Sequence, residues 1–400
     1  MIRIAIVSPF ISKRYGTERR VAELIEHLIK DFSYEVHLYS QRVEDIEVND
    51  GEERFIWHKI PDIPGPHLLK YLWWFVANQV IRNWNRKAKR CQYDLIYSPG
   101  INCWDADVIS VHIVFAEFYT QVKDMLRLTR NPLCTWPRLI HRWLHYHLIM
   151  ALERQIYGKH HKTLVAISKK VVRDLHYHYG VSTNLPIAYH GIDTQQFNPQ
   201  VRILLRQQAR QALNLTEEDF VILLIGNDWR KKGLDCLIEA IKKFEDLPIR
   251  LLVVGRDDPT AYLVRINEYK LNRKVLFLSP RSDVEFYYAA ADAYVAPSLE
   301  DAFALPPAEA MACGLPVIVS SHAGVSEIIK DGFDGLILKD PRNPEELAHL
   351  IQLLYSDKAL RERLGQNASQ TAQQFTWKRN AQVMHEVFLQ VVKDKKQNSN

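Results

Sequence analysis

The hydrophobic pattern along this chain alternates between two kinds of segment. Short apolar runs, among them "RIAIVSPF", "YEVHLYSQ", "YDLIYSPG", "DVISVHIV" and "TLVAIS", predict buried strands. Between them "TERRVAELIEHLIK" and "KKVVRDLHYHYG" repeat their apolar positions at helical spacing. After "PIAYHGIDTQQFNP" the alternation restarts with "FVILLIGN", the helix "GLDCLIEAIKKF", "RLLVVGRD", "KVLFLSP", "AYVAPS", "PVIVSS" and "GLIL". Strands alternating with helices require parallel sheets covered on both faces, so the expected architecture is α/β twice over. The boundary is expected near residue 187, giving domains 1–187 and 188–375, then a terminal helix from 376 with the polar tail "KDKKQNSN" disordered.

Composition narrows this picture. With 400 residues, 47% hydrophobic and 25% charged, the chain can build two ordinary cores. "MIRIAIVSPF" has neither the basic start nor the long apolar stretch of a signal peptide, so it reads as a first strand. No run approaches the ~18–20 apolar residues of a membrane span. The five cysteines, Cys91, Cys103, Cys134, Cys236 and Cys313, form no C-x-x-C pair, which argues against a disulfide framework or zinc site and for a cytoplasmic setting.

A net charge of +5 does not imply nucleic acid. The local distribution is more telling. In residues 66–90, Lys70, Arg82, Arg86, Lys87, Lys89 and Arg90 stand with Tyr71, Trp73, Trp74, Phe75 and Trp84 and with no acid, the composition of a helix lying on an anionic membrane surface. A core helix with a solvated basic end is the alternative reading. "WPRLIHRWLHYHLIM", residues 136–150, repeats the same character and favours the membrane surface.

Ligands of doubly wound sheets bind beyond the carboxyl ends of strands, and for two such domains in tandem the expected site is a cleft between them. Four segments follow strands. In "SPFISKRYGTERR", Gly16 brings backbone amides close to an anion at a helix start. In "GNDWRKKG", Arg230, Lys231 and Lys232 crowd the mouth of a strand, where a diphosphate would be clamped. In "FLSPRSDV", Arg281 offers a guanidinium to stack on a base. In "SLEDAFALPPAEAMACGLPVIVSS", Asp301 and Glu309 stand eight positions apart, and the amides of Phe303, Ala304 and Leu305 precede a helix starting near Pro306. "WDAD", residues 104–107, is a D-x-D pattern of the metal-binding kind, but it lies apart from these phosphate features, and no metal is expected.

"DAFALPPAEAMACGLPVIVSSHAGVSEII" resembles the E-x7-E signature of the retaining glycosyltransferases of family 4, which have the GT-B fold. Supporting segments are "GTERRVAELIEHL", "SVHIV", "YHGIDTQQFNP" and the terminal "FTWKRNAQVMHEVF". "GNDWRKKGLDCLIEAI", "VVGRDDP" and "RSDVEFYYAAADAYVAPS" look closest to the branch of the lipopolysaccharide core glucosyltransferase. The resemblance implies two Rossmann-like domains facing a cleft, with the terminal helix returning to the first. It also implies retaining, metal-independent transfer of glucose or a related hexose, without a cofactor, from a nucleotide-sugar donor, a UDP-sugar, to a glycan or lipid-linked acceptor at the inner membrane face.

Carried over by position, Glu309 binds the ribose. Lys232, aided by Lys231, neutralises the diphosphate, which Gly16 with Thr17 and the amides of Phe303, Ala304 and Leu305 also hold. His112 and Asp301 contact the donor sugar, and Arg281 covers the base. The departures are Asn227 where many members carry arginine, Ala302 and Ala304 in place of glycines, and Asp301 in place of glutamate. A nucleotide-sugar epimerase of the same fold and a non-catalytic donor-binding relative are the competing expectations. A dinucleotide dehydrogenase is set aside for want of G-x-G-x-x-G after a strand.

Overall fold

The computed structural model describes residues 1–13, 16–46, 54–88, 91–123, 136–158 and 162–398. The chain divides into two compact units, Met1–Tyr189 together with the segment from Trp377 onward, and His190–Thr376.

The first unit carries β1 (Arg3–Val7), β2 (Phe10–Ile11), β3 (Glu35–Ser40), β4 (Arg42–Val43), β5 (Phe55–Lys59), β6 (Leu95–Pro99), β7 (Val108–Val111) and β8 (Thr163–Ala166). Its main sheet runs β5-β3-β1-β6-β7-β8, and the paired strands are parallel throughout. Central strands such as β1 and β6 bury nearly every residue, which is why they read as continuous apolar runs and not as alternating ones. The helix Gly16–Lys30 places Val21, Leu24, Ile25 and Leu28 against Ile4, Ile6, Val36 and Leu38. Ala381, Met384 and Phe388 of the helix Trp377–Asn398 join the same core.

That last helix corrects one expectation. The tail "KDKKQN" is helical through Asn398, where disorder was expected. Lysine and glutamine are good helix formers. Gln390 Nε2 donates to Asp394 Oδ1 at 2.7 Å one turn on, and Lys395 Nζ reaches Asp107 Oδ2 at 3.0 Å.

The second unit carries β9 (Phe220–Ile225), β10 (Ile249–Val254), β11 (Val275–Leu278), β12 (Ala293–Ala296), β13 (Val317–Ser320) and β14 (Leu336–Leu338), ordered β11-β10-β9-β12-β13-β14 and parallel. The helix Leu234–Lys242 packs Leu234, Leu237, Ile238 and Ile241 over Ile222, Leu224, Leu251 and Val253.

Counting only the strands of each main sheet, both units have the order 3-2-1-4-5-6. In such a sheet successive connections leave the first and fourth strands in opposite directions, and a crevice opens beyond their carboxyl ends. The crevice falls between β1 and β6 in the first unit and between β9 and β12 in the second. Loops leaving those strands are therefore the ones in which chemistry is expected.

Candidate active site

In the second unit the two loops flanking the crevice meet through two ion pairs, Lys232–Asp301 and Lys231–Glu300. The loop after β9 delivers Lys232 and the loop after β12 delivers Asp301, with Lys232 Nζ 2.5 Å from Asp301 Oδ2. The sequence reading gave these residues separate tasks; the fold makes them partners. Burial alone would raise the Asp301 pKa, but Lys232, Lys231 behind it and the Phe303 N–H more than offset this and hold the carboxyl below its ordinary value of 3.8. The pair therefore contributes stability at pH values above about 4, and that contribution is lost as pH falls through the lowered pKa.

The basic loop is shaped by glycines at positions no other residue would tolerate. Gly226 has φ +149°, and a Cβ there would lie 2.9 Å from Lys232 Cε. Gly233 has φ +78°, and its Cβ would fall 1.9 Å from the Pro297 carbonyl oxygen. Together they let the lysine stem run back across the strand end and let the next helix start against β12. Beneath the loop, Trp229 is buried, its ring 4.9 Å from that of Phe277, and its backbone N–H donates to Asp257 Oδ2 at 2.6 Å. Lys231 Nζ is 3.0 Å from Glu300 Oε2. Asn227 Oδ1 accepts from the Arg256 N–H at 3.0 Å, and Arg230 is exposed.

The acidic loop is fixed by backbone pairing with the segment after β13. Asp301 N–H donates to the His322 carbonyl at 3.3 Å, Gly324 N–H to the Asp301 carbonyl at 3.0 Å, and Val325 N–H to the Phe303 carbonyl at 2.7 Å. The helix Leu305–Ala312 then begins, one residue before the expected start. Glu309 lies on it, buried, with Oε2 at 2.7 Å from the Tyr288 hydroxyl. Tyr288 is fully buried and lies 21 positions earlier, before β12, so nothing local to the acidic motif pointed to it.

One expectation for this loop is corrected. The Phe303 N–H, expected to point outward to a phosphate, donates to Asp301 Oδ1 at 3.2 Å, because the shorter acid turns back onto its own loop. Proline at 306 and 307 supplies no N–H, so the backbone donors available to an anion at this helix start are those of Ala304, Leu305 and Ala308. Ala304, where the resemblance expects glycine, keeps the glycine conformation at φ +72°, ψ +98°. An L residue there is strained by about 1–3 kcal/mol. Ala304→Gly, which relieves that strain at the cost of a looser unfolded chain, is expected to stabilise the protein by about 1 kcal/mol in chemical denaturation. A loss of stability would contradict the strain.

Arg281 is exposed at the end of β11, bound to Asp283 by a fork of 2.7 and 2.8 Å and lying 4.1 Å from the centroid of Phe286. The structure thus leaves it apart from the Lys232–Asp301 pair and holds its guanidinium plane against an aromatic ring.

In the first unit Gly16 starts the helix Gly16–Lys30, Thr17 is exposed beside it, and His112 follows β7. His112 Nε2 is 3.0 Å from Ser110 Oγ, which is 2.7 Å from the Tyr97 hydroxyl, and 3.3 Å from an Arg20 guanidinium nitrogen. A guanidinium only donates, so Nε2 accepts and the imidazole proton resides on Nδ1. Arg20 was missed in the sequence, although the signal was present: a cation four residues before Leu24, on the apolar stripe of its helix. It is fully buried, touches Met384 Sδ at 3.6 Å, and pairs with no carboxylate among the described residues. A buried cation without an acid partner is costly and suggests a functional reason for its retention. Arg20→Met is therefore expected to keep or raise the melting temperature while lowering activity about tenfold, with Arg20→Lys intermediate. Full activity in Arg20→Met would make the contact with His112 incidental.

Asp105 and Asp107 of the D-x-D pattern are engaged elsewhere. Asp105 accepts from Arg82 at 2.7 and 3.0 Å, and Asp107 Oδ2 accepts from the Ile96 N–H at 2.7 Å and from Lys395. No group of three or more metal-ligating side chains assembles among the described residues.

Comparison with known proteins agrees with this arrangement. Residues 15–196 match the model of Glycosyltransferase Family 4, and residues 206–371 match that of Glycosyl transferases group 1. A D-inositol 3-phosphate glycosyltransferase of Jonesia denitrificans is 32% identical over 238 residues, 56% of this chain and 56% of that protein. The chain thus spans about half the length of the curated relatives it matches. Among solved structures, the lipopolysaccharide-biosynthesis glycosyltransferase WaaG superposes with a TM-score of 0.75 at 21% identity, covering 96% of this chain and 99% of the other. Sucrose-phosphate synthase of Thermosynechococcus elongatus gives 0.75 at 20% identity over 98% and 100%. Anabaena HepE, solved in complex with UDP and glucose, gives 0.68 at 18% identity over 97% and 99%. The chain thus carries a domain matching Glycosyltransferase Family 4 at residues 15–196 and one matching Glycosyl transferases group 1 at 206–371, on two parallel-sheet units of the GT-B fold.

Proposed function

We propose that this protein transfers a hexosyl group, glucose or a close relative, from a UDP-sugar to a glycan or lipid-linked acceptor, with retention of anomeric configuration and without a metal ion or cofactor. The observation that carries the proposal is the Lys232–Asp301 pair at the crevice between β9 and β12, with Glu309 seven residues beyond Ala302 on the adjoining helix.

In this reading Glu309 accepts the two ribose hydroxyls, its carboxylate steered by Tyr288. Lys232, with Lys231, meets the diphosphate, and the amides of Ala304 and Leu305 at the helix start add to it. Gly16 and Thr17 contribute on the first unit, and Asn227 lines the basic loop. Arg281 and Phe286 form the edge against which the base is laid. His112, its proton on Nδ1, donates to a sugar hydroxyl, and Asp301 positions Lys232 while reaching the sugar.

When the anomeric C–O bond breaks, its electron pair passes to the β-phosphate oxygen. Charge grows there, and a preorganised ammonium and helix amides stabilise it more in the transition state than in the ground state. Asp301, the carboxylate placed at the sugar, is engaged by Lys232, which disfavours the covalent intermediate of a double displacement. The acceptor hydroxyl accordingly attacks on the face the diphosphate leaves and gives its proton to that phosphate. The engagement of Asp105 and Asp107 with Arg82, Ile96 and Lys395 supports the metal-independent reading.

The test is turnover of a panel of nucleotide sugars in the presence of a chelator, with the product anomer read by NMR. Release of UDP with an α-linked product from an α-linked donor is expected. Steady conversion of the free nucleotide sugar to its epimer, or binding without turnover, would replace this function with one of its two rivals.

A further inference from the structure

Glu153 is fully buried on the helix Trp136–Tyr157 and has no part in the chemistry described above. Three donors from two other helices converge on it. The Phe115 N–H reaches Oε1 at 2.9 Å, the Ala116 N–H reaches Oε2 at 3.3 Å, and the Tyr179 hydroxyl donates to Oε2 at 2.5 Å. Phe115 and Ala116 open the helix Phe115–Val122, and Tyr179 closes the helix Lys169–Tyr179. One carboxylate thus ties three helices together where the chain leaves β7, just beyond His112.

The local sequence explains why the tie comes from so far away. The first amides of a helix need acceptors, and a serine or aspartate just before the helix would ordinarily supply one. Here that position is Val114, whose side chain is buried in the core and caps nothing. The acceptor therefore comes from 38 positions on. Each carboxylate oxygen takes one amide, an arrangement that glutamine, with one oxygen and an NH2, does not match. Glu153 has no cation bonded to it among the described residues, and burial pushes its pKa up to about 7 despite the three donors. The other titratable groups near it are His178, which pairs with Glu117 at 2.9 Å, Tyr157 on its own helix, and Tyr71 on the helix His67–Ala88. That last helix also departs from the sequence reading. Arg82, counted there as a surface cation, is buried and forked onto Asp105, and Trp74 and Phe75 belong to the core. Lys89, Arg90 and Cys134 lie outside the described residues.

We propose that Glu153 is a positioning residue for the transfer reaction: by holding the two amides at the start of the helix Phe115–Val122 it fixes the backbone that carries the imidazole of His112. Ser110 and Arg20 engage the ring at Nε2 and set its tautomer. The distance from the ring to a sugar hydroxyl depends instead on where the backbone stands, and a misplacement of about 1 Å costs about 10² in rate. Only Ile113 and Val114 separate His112 from the helix, too short a link to absorb a shift of the helix start. Protonation loosens the tie. A proton on Oε2 turns the Tyr179 hydroxyl from donor to acceptor, and the Ala116 N–H loses its charged partner. This inference rests on the reading of His112 as a contact of the donor sugar.

The test combines kinetics across pH with NMR of ring-labelled histidine, the His112 resonance being identified by its loss in His112→Gln. Wild-type kcat is expected to fall as pH drops through about 7. Glu153→Gln should lower the plateau about tenfold, flatten that limb and leave KM for the donor within about twofold. Its melting temperature should be kept or raised, increasingly so from about pH 5 to 8, because the contribution of a carboxyl with a raised pKa is lost as pH rises through that value. Tyr179→Phe removes a hydrogen bond to the ionised form, so its limb should move to higher pH with the plateau unchanged. The His112 resonance should shift in Glu153→Gln. Full kcat in Glu153→Gln, or an acid limb that neither variant alters, would overturn the proposal. A wild-type chain that transfers no sugar would sink the reaction alone; the His112 resonance then decides the positioning, and its staying unmoved in Glu153→Gln would overturn it.

Discussion

Replacing Lys232 by alanine is expected to lower kcat by about 10²–10³ while changing KM for the donor much less, because the charge it meets is greatest as the diphosphate departs. The substitution also strands Asp301, whose carboxylate is paired at 2.5 Å with the lost ammonium and lies where the diphosphate is placed. An unpaired anion beside the leaving group opposes the same charge, so the loss should exceed that from neutralising Lys231, which has its own partner in Glu300. Arg230→Ala, on an exposed side chain, should do far less. Steady-state kinetics of the three variants checks the order. If Arg230→Ala proves the most damaging, the basic loop has been assigned one turn out of place.

Glu309→Ala is expected to weaken donor binding by about 2–4 kcal/mol with the fold intact, since a buried carboxylate receiving two hydroxyls makes charge-assisted hydrogen bonds. Tyr288→Phe removes only the hydroxyl that steers Glu309 Oε2 and should cost roughly 1 kcal/mol. Calorimetric titration of the two variants separates the direct ligand from its support. Equal donor affinity in Glu309→Ala would remove Glu309 from the ribose site.

The parts of the molecule that were legible in the sequence share a physical origin. Strands buried on both faces leave uninterrupted apolar runs, so "FVILLI" and "PVIVSS" announced themselves, and their alternation with helices implied parallel sheets. The placement of the candidate residues Lys232, Asp301 and His112 on loops after strands was legible for the same reason, since each follows an apolar run. What stayed hidden was partnership. Asp301 lies 69 positions from Lys232 and Tyr288 lies 21 from Glu309, and no local pattern reveals which loops a crossover brings together. Arg20 shows the complementary failure. Its place on an apolar stripe was visible, but a cation there reads as a helix edge until the fold buries it against His112. On the helix His67–Ala88, composition named the residues of an interfacial surface but could not divide them between its two faces, so Trp74 and Arg82 were placed outside when packing takes them in. The tail was misjudged because low hydrophobicity was taken for disorder, while helix propensity and the Lys395–Asp107 contact continue the helix.

The central claim is that Glu309 holds the ribose of a nucleotide diphosphate on the second unit. Its most direct test is a double-mutant cycle in calorimetry, titrating UDP and 2′,3′-dideoxy-UDP into the wild-type protein and into Glu309→Ala. The account predicts that loss of the hydroxyls weakens binding to the wild type by roughly 2–4 kcal/mol and leaves binding to Glu309→Ala almost unchanged, so that the two losses are not additive. If Glu309→Ala still discriminates between the two nucleotides as strongly as the wild type does, the ribose is held elsewhere and the assignment is wrong.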